Sequence, residues 1–226
     1  MEDRLIASAR VTGIAALVGV ALWLAMVIFV APVEQVQGIV QKIFYVHVAC
    51  ILPSYLGFLI TAAGGIGFLA TRGEHWDRLA VAGAEIGVLF TTYFLIVGPL
   101  WAKPVWGHWW VWDLRLTLTL VLWFVYVAYL FLRAFTPGSD AARSFAAVYG
   151  IAGTAVIPFV YYAVELARGS TMHPSNPASE GLPSGMASTA LVGLGVFVVL
   201  FLHLLARRLE VAALEARADE LEEVVS

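Results

Sequence analysis

A single cysteine, Cys50, stands among 226 residues. One thiol excludes an internal disulfide, a Cys-x-x-Cys redox pair and a Cys-x-x-Cys-His attachment site, so neither a c-type cytochrome nor a self-sufficient thiol oxidoreductase fits. Cys50 itself reads as a small apolar residue packed in a helix. Charge is equally scarce. Charged residues make up 13% of the chain, about half the share of roughly 25% usual in soluble domains. No basic stripe and no stacking groove for single strands is present, which excludes a nucleic-acid partner. A net charge of −3 selects no other partner class. The chain also has no internal repeat, no low-complexity tract, no nucleotide-binding loop, no Ser-His-Asp set and no metal cluster.

What is abundant is apolar. Hydrophobic residues reach 61% and the mean hydropathy is +0.87. With too little polar surface to cover a soluble fold, the chain is expected to be an all-α, polytopic membrane protein. Six stretches, 11–31, 49–70, 80–101, 116–132, 145–165 and 187–206, come near the roughly 20 residues a bilayer core needs. They form one domain, residues 1–226, with a C-terminal tail at 207–226. The start, Met1-Glu2-Asp3-Arg4, mixes charges and the apolar run after Arg10 is too long for a signal core, so the first span is expected to be retained. Gly64-Gly65-x-Gly67 and Pro158 fall inside spans, where close helix packing exploits such residues. Nine arginines (4, 10, 72, 78, 133, 143, 207, 208 and 217) collect on one side. Lys42, Lys103, Arg115 and Arg168 lie on the other. The nine-arginine side is expected to be cytoplasmic, with both termini inside. Segments 32–48, 102–115 and 166–186 then face outward.

Each outward segment carries something unusual. In the first, Val36, Val40, Ile43 and His47 recur at helical spacing among Glu34, Gln35, Gln37, Gln41 and Lys42. That pattern predicts a short amphipathic helix on the outer membrane surface, aiming His47 inward. His47 is then either a metal ligand at the membrane edge or an interfacial histidine with a satisfied hydrogen bond. The second segment packs Trp106, Trp109, Trp110 and Trp112 into seven residues beside Asp113. Interfacial belts account for single tryptophans such as Trp23, Trp76 or Trp101. Four together read equally as a belt or as an indole platform for a flat apolar ligand. If 106–113 were helical, Trp106, Trp109, Trp110 and Asp113 would share one side over roughly 10 Å, comparable with a porphyrin. The third segment carries His173. Haem iron takes histidine nitrogen on its axial faces, and His47 and His173 meet that demand by topology. Arg115 is the nearest outer cation for the ring's propionates, or else a residue snorkelling at a helix end.

At this point a resemblance becomes specific. Trp106-Gly107-x-x-Trp110-x-Trp112-Asp113-x-Arg115-Leu116-Thr117, within segment 102–117, resembles the WWD signature of a haem-handling family. That family comprises the haem exporter C proteins of cytochrome c maturation and larger cytochrome c synthetase relatives. The six-span plan, the size and Tyr45-Val46-His47-Val48 resemble the exporter C proteins most. The resemblance covers residues 35–205. It implies a protein of the bacterial cytoplasmic membrane that holds haem b non-covalently at the periplasmic face. It implies a platform of Trp106, Gly107, Trp110, Trp112 and Asp113, with His47 and His173 as axial ligands; Trp109 joins that platform as the fourth clustered tryptophan. It further implies transfer of haem to a membrane-anchored chaperone (the CcmE-like E protein). Help would come from an ATP-binding cassette pair (CcmA- and CcmB-like) and a small CcmD-like subunit. Such a protein is a transport and handover subunit rather than an enzyme. The chain departs from the family where His47-Val48-Ala49-Cys50 replaces His-Val-Pro-Ala, with a proline only at Pro53. It departs again where Met172-His173-Pro174-Ser175 replaces a histidine followed by Gln-Gly. The last outer segment, Gly169 to Gly185, carries extra proline and serine.

Two rival functions make different demands. A b-type electron-transfer cytochrome needs histidine pairs inside the bilayer, and the spans offer His203 alone. A small-molecule permease with merely interfacial tryptophans predicts an inverted repeat or broken helices at the midplane. Glu85, inside span three, is either a functional acid, as acids within the membrane commonly are, or a structural residue that pairs with an arginine or reaches the interface, the reading favoured here. Glu165 is expected at the interface, and His75 and His108 on solvated or rim positions. Residues 207–226 are expected to extend span six as a helix.

Overall fold

The computed structural model describes residues 2–136, 139–167, 169–174 and 181–225. Their order is α1 (Glu2–Phe29), a 3-10 turn (Ile39–Lys42), α2 (Ile43–Ala49), α3 (Ile51–Thr71), α4 (Glu74–Trp106) and α5 (Leu114–Phe135). Then follow α6 (Asp140–Thr154), α7 (Val156–Tyr161), α8 (Ala163–Leu166) and α9 (Ser184–Val225). Among the described residues there is no strand, only one isolated bridge between Glu34 and Gly38. Six helical stretches are long and apolar enough to cross a membrane. Leu17, Leu22, Phe124, Phe131, Phe159 and Leu191 are exposed on their outer faces. Such side chains find in lipid a solvent as apolar as themselves, so helix association rests on close packing rather than on apolar burial.

Close packing is seen most clearly where α3 crosses α4. A β-carbon at Gly57 would stand 2.6 Å from the Cα of Gly87, and one at Gly83 would stand 2.7 Å from the Gly57 carbonyl oxygen. Only glycine lets two backbones approach that closely. α1 packs against α9, where Trp23 is buried, meets Phe197 edge-on at 5.3 Å and donates its indole N–H to the Thr189 carbonyl at 2.9 Å. Trp23 is therefore a core residue, not a member of an interfacial belt.

Four local expectations change. The first outer helix begins at Ile39, not Val36. Gly38 takes φ 62° and Glu34 accepts hydrogen bonds from the backbone N–H of Val36 and Gln37 at 2.9 and 2.6 Å, so residues 34–38 form a turn and Val36 is exposed. The helix that follows does not stand apart from span two; only Cys50 separates α2 from α3. Residues 106–113 are not helical. α4 ends at Trp106, capped by Gly107 at φ 79° and by Lys103, whose ammonium donates to the Gly107 carbonyl at 2.9 Å. Span five is interrupted, with breaks at Ala155 and Tyr162. Pro158 has no N–H to offer the Thr154 carbonyl four residues back, and its ring crowds that carbonyl, so α6 stops there.

On the arginine-rich side, charges are paired. Arg133 donates to Asp77 at 2.6 Å, Arg143 lies 3.4 Å from Glu74, and Arg208 of α9 donates to Glu85 of α4 at 3.1 Å. Glu85 is thus a structural partner that ties the last helix to α4. His203 meets the Thr12 hydroxyl at 3.0 Å rather than a second histidine. α9 runs for 42 residues, about 63 Å, so it extends well past a core of about 30 Å, as expected for a tail that continues span six. Arg168 and residues 175–180 lie outside the described residues.

Candidate functional site

His47 sits in the last turn of α2 and is buried, 6% exposed. Its ring stacks on Phe94 of α4 with centroids 3.9 Å apart and tilts against Trp101 at 5.9 Å. Gly98, one turn beyond Phe94, makes room: a β-carbon there would lie 3.1 Å from His47 Cε1. The Nδ1 atom of His47 is buried without a hydrogen-bond partner among the described residues.

The tryptophan segment leaves α4 at Gly107 and runs irregularly to Asp113. Trp106 is half-buried and tilts against buried Trp101 at 6.1 Å. Trp110 is half-buried and meets Trp112 edge-on at 5.8 Å. Trp109 and Trp112 are 56% and 76% exposed. The four indoles therefore do not line one helix face. Trp106 and Trp110 turn inward, Trp109 is partly exposed at the cavity mouth, and Trp112 stands out from the surface. Among the described residues the indole N–H of Trp110 is buried and unpartnered.

Asp113 closes the segment and opens α5. Its Oδ1 accepts from the Leu116 N–H at 2.9 Å, an N-cap, and its Oδ2 accepts from the Thr171 hydroxyl at 2.7 Å. Arg115, one residue into α5, points into the bundle instead of out to the membrane rim. It is 8% exposed, donates to the Tyr161 carbonyl at 2.9 Å and approaches His173 Nδ1 at 3.3 Å. Its Nε is buried and unpartnered, and among the described residues it forms no ion pair. His173 Nδ1 also lies 2.8 Å from the Pro174 carbonyl. A carbonyl only accepts and a guanidinium only donates, so the ring nitrogen serves one of them. The shorter contact assigns the proton to Nδ1, donated to Pro174, which leaves Nε2 with a free lone pair. Burial, chiefly, and the nearby Arg115 charge hold the His173 imidazole below the ordinary histidine pKa.

His47 and His173 face shared space. Two adjoining cavities of about 100 and 40 Å³ have His47, Phe94, Trp101, Arg115, Thr119 and His173 in both walls. Trp106, Trp109 and Trp110 complete the outer one, while Tyr55, Leu122 and Tyr161 line the inner. The residues suit a haem. They offer two neutral nitrogen donors, an unpaired buried cation for a carboxylate, and indole walls. Three buried polar atoms of the site, on His47, Trp110 and Arg115, lack partners among the described residues. Sequence reasoning missed Trp101, assigned to the belt, and Phe94. Their spacing from Gly98 along one face of α4 was the available signal. His75 and His108 are exposed, and Glu165 is exposed at the end of α8, as expected.

Six helices of spanning length, with cavities lined by tryptophans and two histidines, define the class: a polytopic helical membrane protein. The family model for Heme exporter protein C (CcmC) matches residues 3–223, and this chain belongs to that family. It is 32% identical over 198 residues to Heme exporter protein C of Bradyrhizobium diazoefficiens, covering 84% of this chain and 74% of the relative. It is 35% identical over 153 residues to a putative cytochrome c biosynthesis ccmC-like mitochondrial protein of Marchantia polymorpha, covering 68% and 64%. It is 36% identical over 146 residues to Heme exporter protein C of Escherichia coli K12, covering 62% and 59%. The match thus spans less than two thirds of the length of the last two relatives.

Proposed function

We propose that this chain receives haem at the periplasmic face of the bacterial cytoplasmic membrane and hands it to a membrane-anchored haem chaperone for cytochrome c maturation. The observation that carries the reading is the convergence of His47, His173 and an unpaired buried Arg115 on tryptophan-walled space. The cargo supplies an iron with two axial positions and two carboxylates; the chain supplies what recognises them. His47 and His173 are the axial ligands of a non-covalently held haem b. Histidine ligands characteristically donate the second ring N–H to a carbonyl, as His173 does to Pro174. Arg115 receives a propionate, because a buried cation without a counter-charge is costly. Trp106 and Trp110, with Trp101 behind them, form the inner wall.

The cavities are smaller than the roughly 300–1,000 Å³ of pockets that enclose a small-molecule ligand. A macrocycle held there keeps part of its edge outside, beside the exposed indoles of Trp109 and Trp112. That suits a protein whose task is handover: the chaperone meets the exposed edge, and any covalent step is the chaperone's. An ATP-binding cassette pair and a small accessory subunit complete the proposed assembly.

The test is the absorption spectrum of the full-length protein purified in detergent, with ferric haem added. A Soret band weakened by His47→Ala and by His173→Ala supports the reading. Apparent affinity should fall at least as far as the roughly 10–100-fold typical when ligand support is removed. A band indifferent to both changes places the haem elsewhere, as in a b-type cytochrome. No band even with excess haem favours a permease.

A further inference from the structure

Among the described residues, one hydrogen bond joins the loop that carries His173 to the tryptophan segment, through the hydroxyl of Thr171. Thr171 Oγ1 donates to Asp113 Oδ2 at 2.7 Å and accepts from the backbone N–H of His173 at 3.0 Å. The other oxygen of Asp113 is already held by the first turn of α5, and Asp113 itself is buried. A fixed carboxylate at a helix start therefore reaches, through one hydroxyl, the backbone of the proposed ligand. The neighbouring backbone is not regular structure: residues 169–174 belong to no helix, and Gly169 takes φ 85°. Without the bridge, nothing regular in that segment would set the position of residue 173.

We propose that Thr171 is a positioning residue that locks His173 onto the tryptophan segment through Asp113, so that ligand and platform hold haem as one unit. The proposal rests on the haem reading above for its purpose but not for its geometry. The roles of the atoms are fixed by chemistry. Asp113 as a carboxylate only accepts, so the Thr171 hydrogen points to it. The lone pairs of the same oxygen are then free for the His173 N–H. A hydrogen bond to a charged acceptor is stronger than one between neutral groups. Serine keeps this bridge; valine keeps the shape and removes it.

The first measurement needs no haem. Amide hydrogen exchange of the full-length protein in detergent is compared for wild type, Thr171→Val, Thr171→Ala and Thr171→Ser. Valine and alanine should speed exchange of the peptide containing residues 169–174 by roughly tenfold, the scale set by losing one charge-assisted hydrogen bond. Serine should match wild type, and peptides from α3 and α4 should not change. The second measurement adds ferric haem. Thr171→Val should shift the spectrum from six-coordinate low-spin toward five-coordinate high-spin, and lose haem to excess apomyoglobin roughly tenfold or more faster, the range for supporting residues of a metal ligand. Unchanged exchange in both Thr171→Val and Thr171→Ala overturns the proposal. So does faster exchange with an unaltered haem spectrum in a protein whose spectrum does respond to His173→Ala. If His173→Ala itself leaves the spectrum unchanged, the haem reading fails, while the exchange result still decides whether Thr171 holds the loop.

Discussion

At the scale of single residues, the site is governed by what burial does to polar atoms. His173 is held below the ordinary histidine pKa mainly because its surroundings penalise the imidazolium, and Arg115 adds to the effect. Iron needs the neutral ring, and protons compete only once the pH falls through the depressed value. Haem retention should therefore stay level as pH drops from 8 through about 6.5, where an ordinary histidine begins to charge, and decline only below it. A spectral pH titration checks this, and a decline centred at or above pH 6.5 would contradict it. In the unfolded chain His173 protonates at the ordinary value, so acid between the two values also favours unfolding. The two exposed indoles differ from the two inner ones. Trp110→Ala should weaken haem retention by about 2–12-fold, the equivalent of roughly 0.5–1.5 kcal/mol of aromatic contact. It should not abolish membrane insertion, and equal retention in the variant would discredit the wall.

At the scale of elements, small residues and punctuation decide how helices meet. Gly57 and Gly83 set the α3–α4 crossing, and that crossing fixes α2 and His47 against Phe94 of α4. Gly57→Val should lower thermal stability in detergent by about 1–3 kcal/mol, the usual cost of overpacking, and should disturb the haem spectrum at a distance. A melting temperature equal to wild type would show that the crossing relaxes freely. Helix existence was legible because six apolar runs have spanning length. Helix ends were less legible. Gly107 stops α4 and Pro158 interrupts span five, although the periodicity on either side continues. The spacing of Val36 to Val40 is helical, but the carboxylate of Glu34 captures the backbone N–H groups of Val36 and Gln37 in a turn.

At the scale of the whole molecule, charge is divided by side and by state. The arginine-rich end is stitched by Arg133–Asp77, Arg143–Glu74 and Arg208–Glu85. At the opposite end, Arg115 is buried and, among the described residues, makes no ion pair with a carboxylate. That asymmetry supports an inner face built for stability and an outer face built to receive an anion. With Cys50 replaced by alanine, Trp112→Cys in cells should react with a membrane-impermeant thiol reagent added to the periplasm, and Arg217→Cys should not. The reverse labelling would invert the proposed orientation and move the site to the cytoplasm.

Sequence alone determined that the chain is helical, polytopic and similar to haem-handling proteins, because a bilayer admits few backbone solutions and those leave long apolar runs. It also marked His47, His173 and the tryptophans, since such residues are rare and conspicuous in so apolar a chain. Only the tertiary structure decided that Arg115 turns inward, that Trp101 and Phe94 form the back wall, that Trp106 and Trp110 are half-buried while Trp109 and Trp112 are exposed, and that Thr171 bridges Asp113 to His173. Those outcomes depend on how closely separate helices approach and which lone pairs meet across them, and no periodicity along one chain records either.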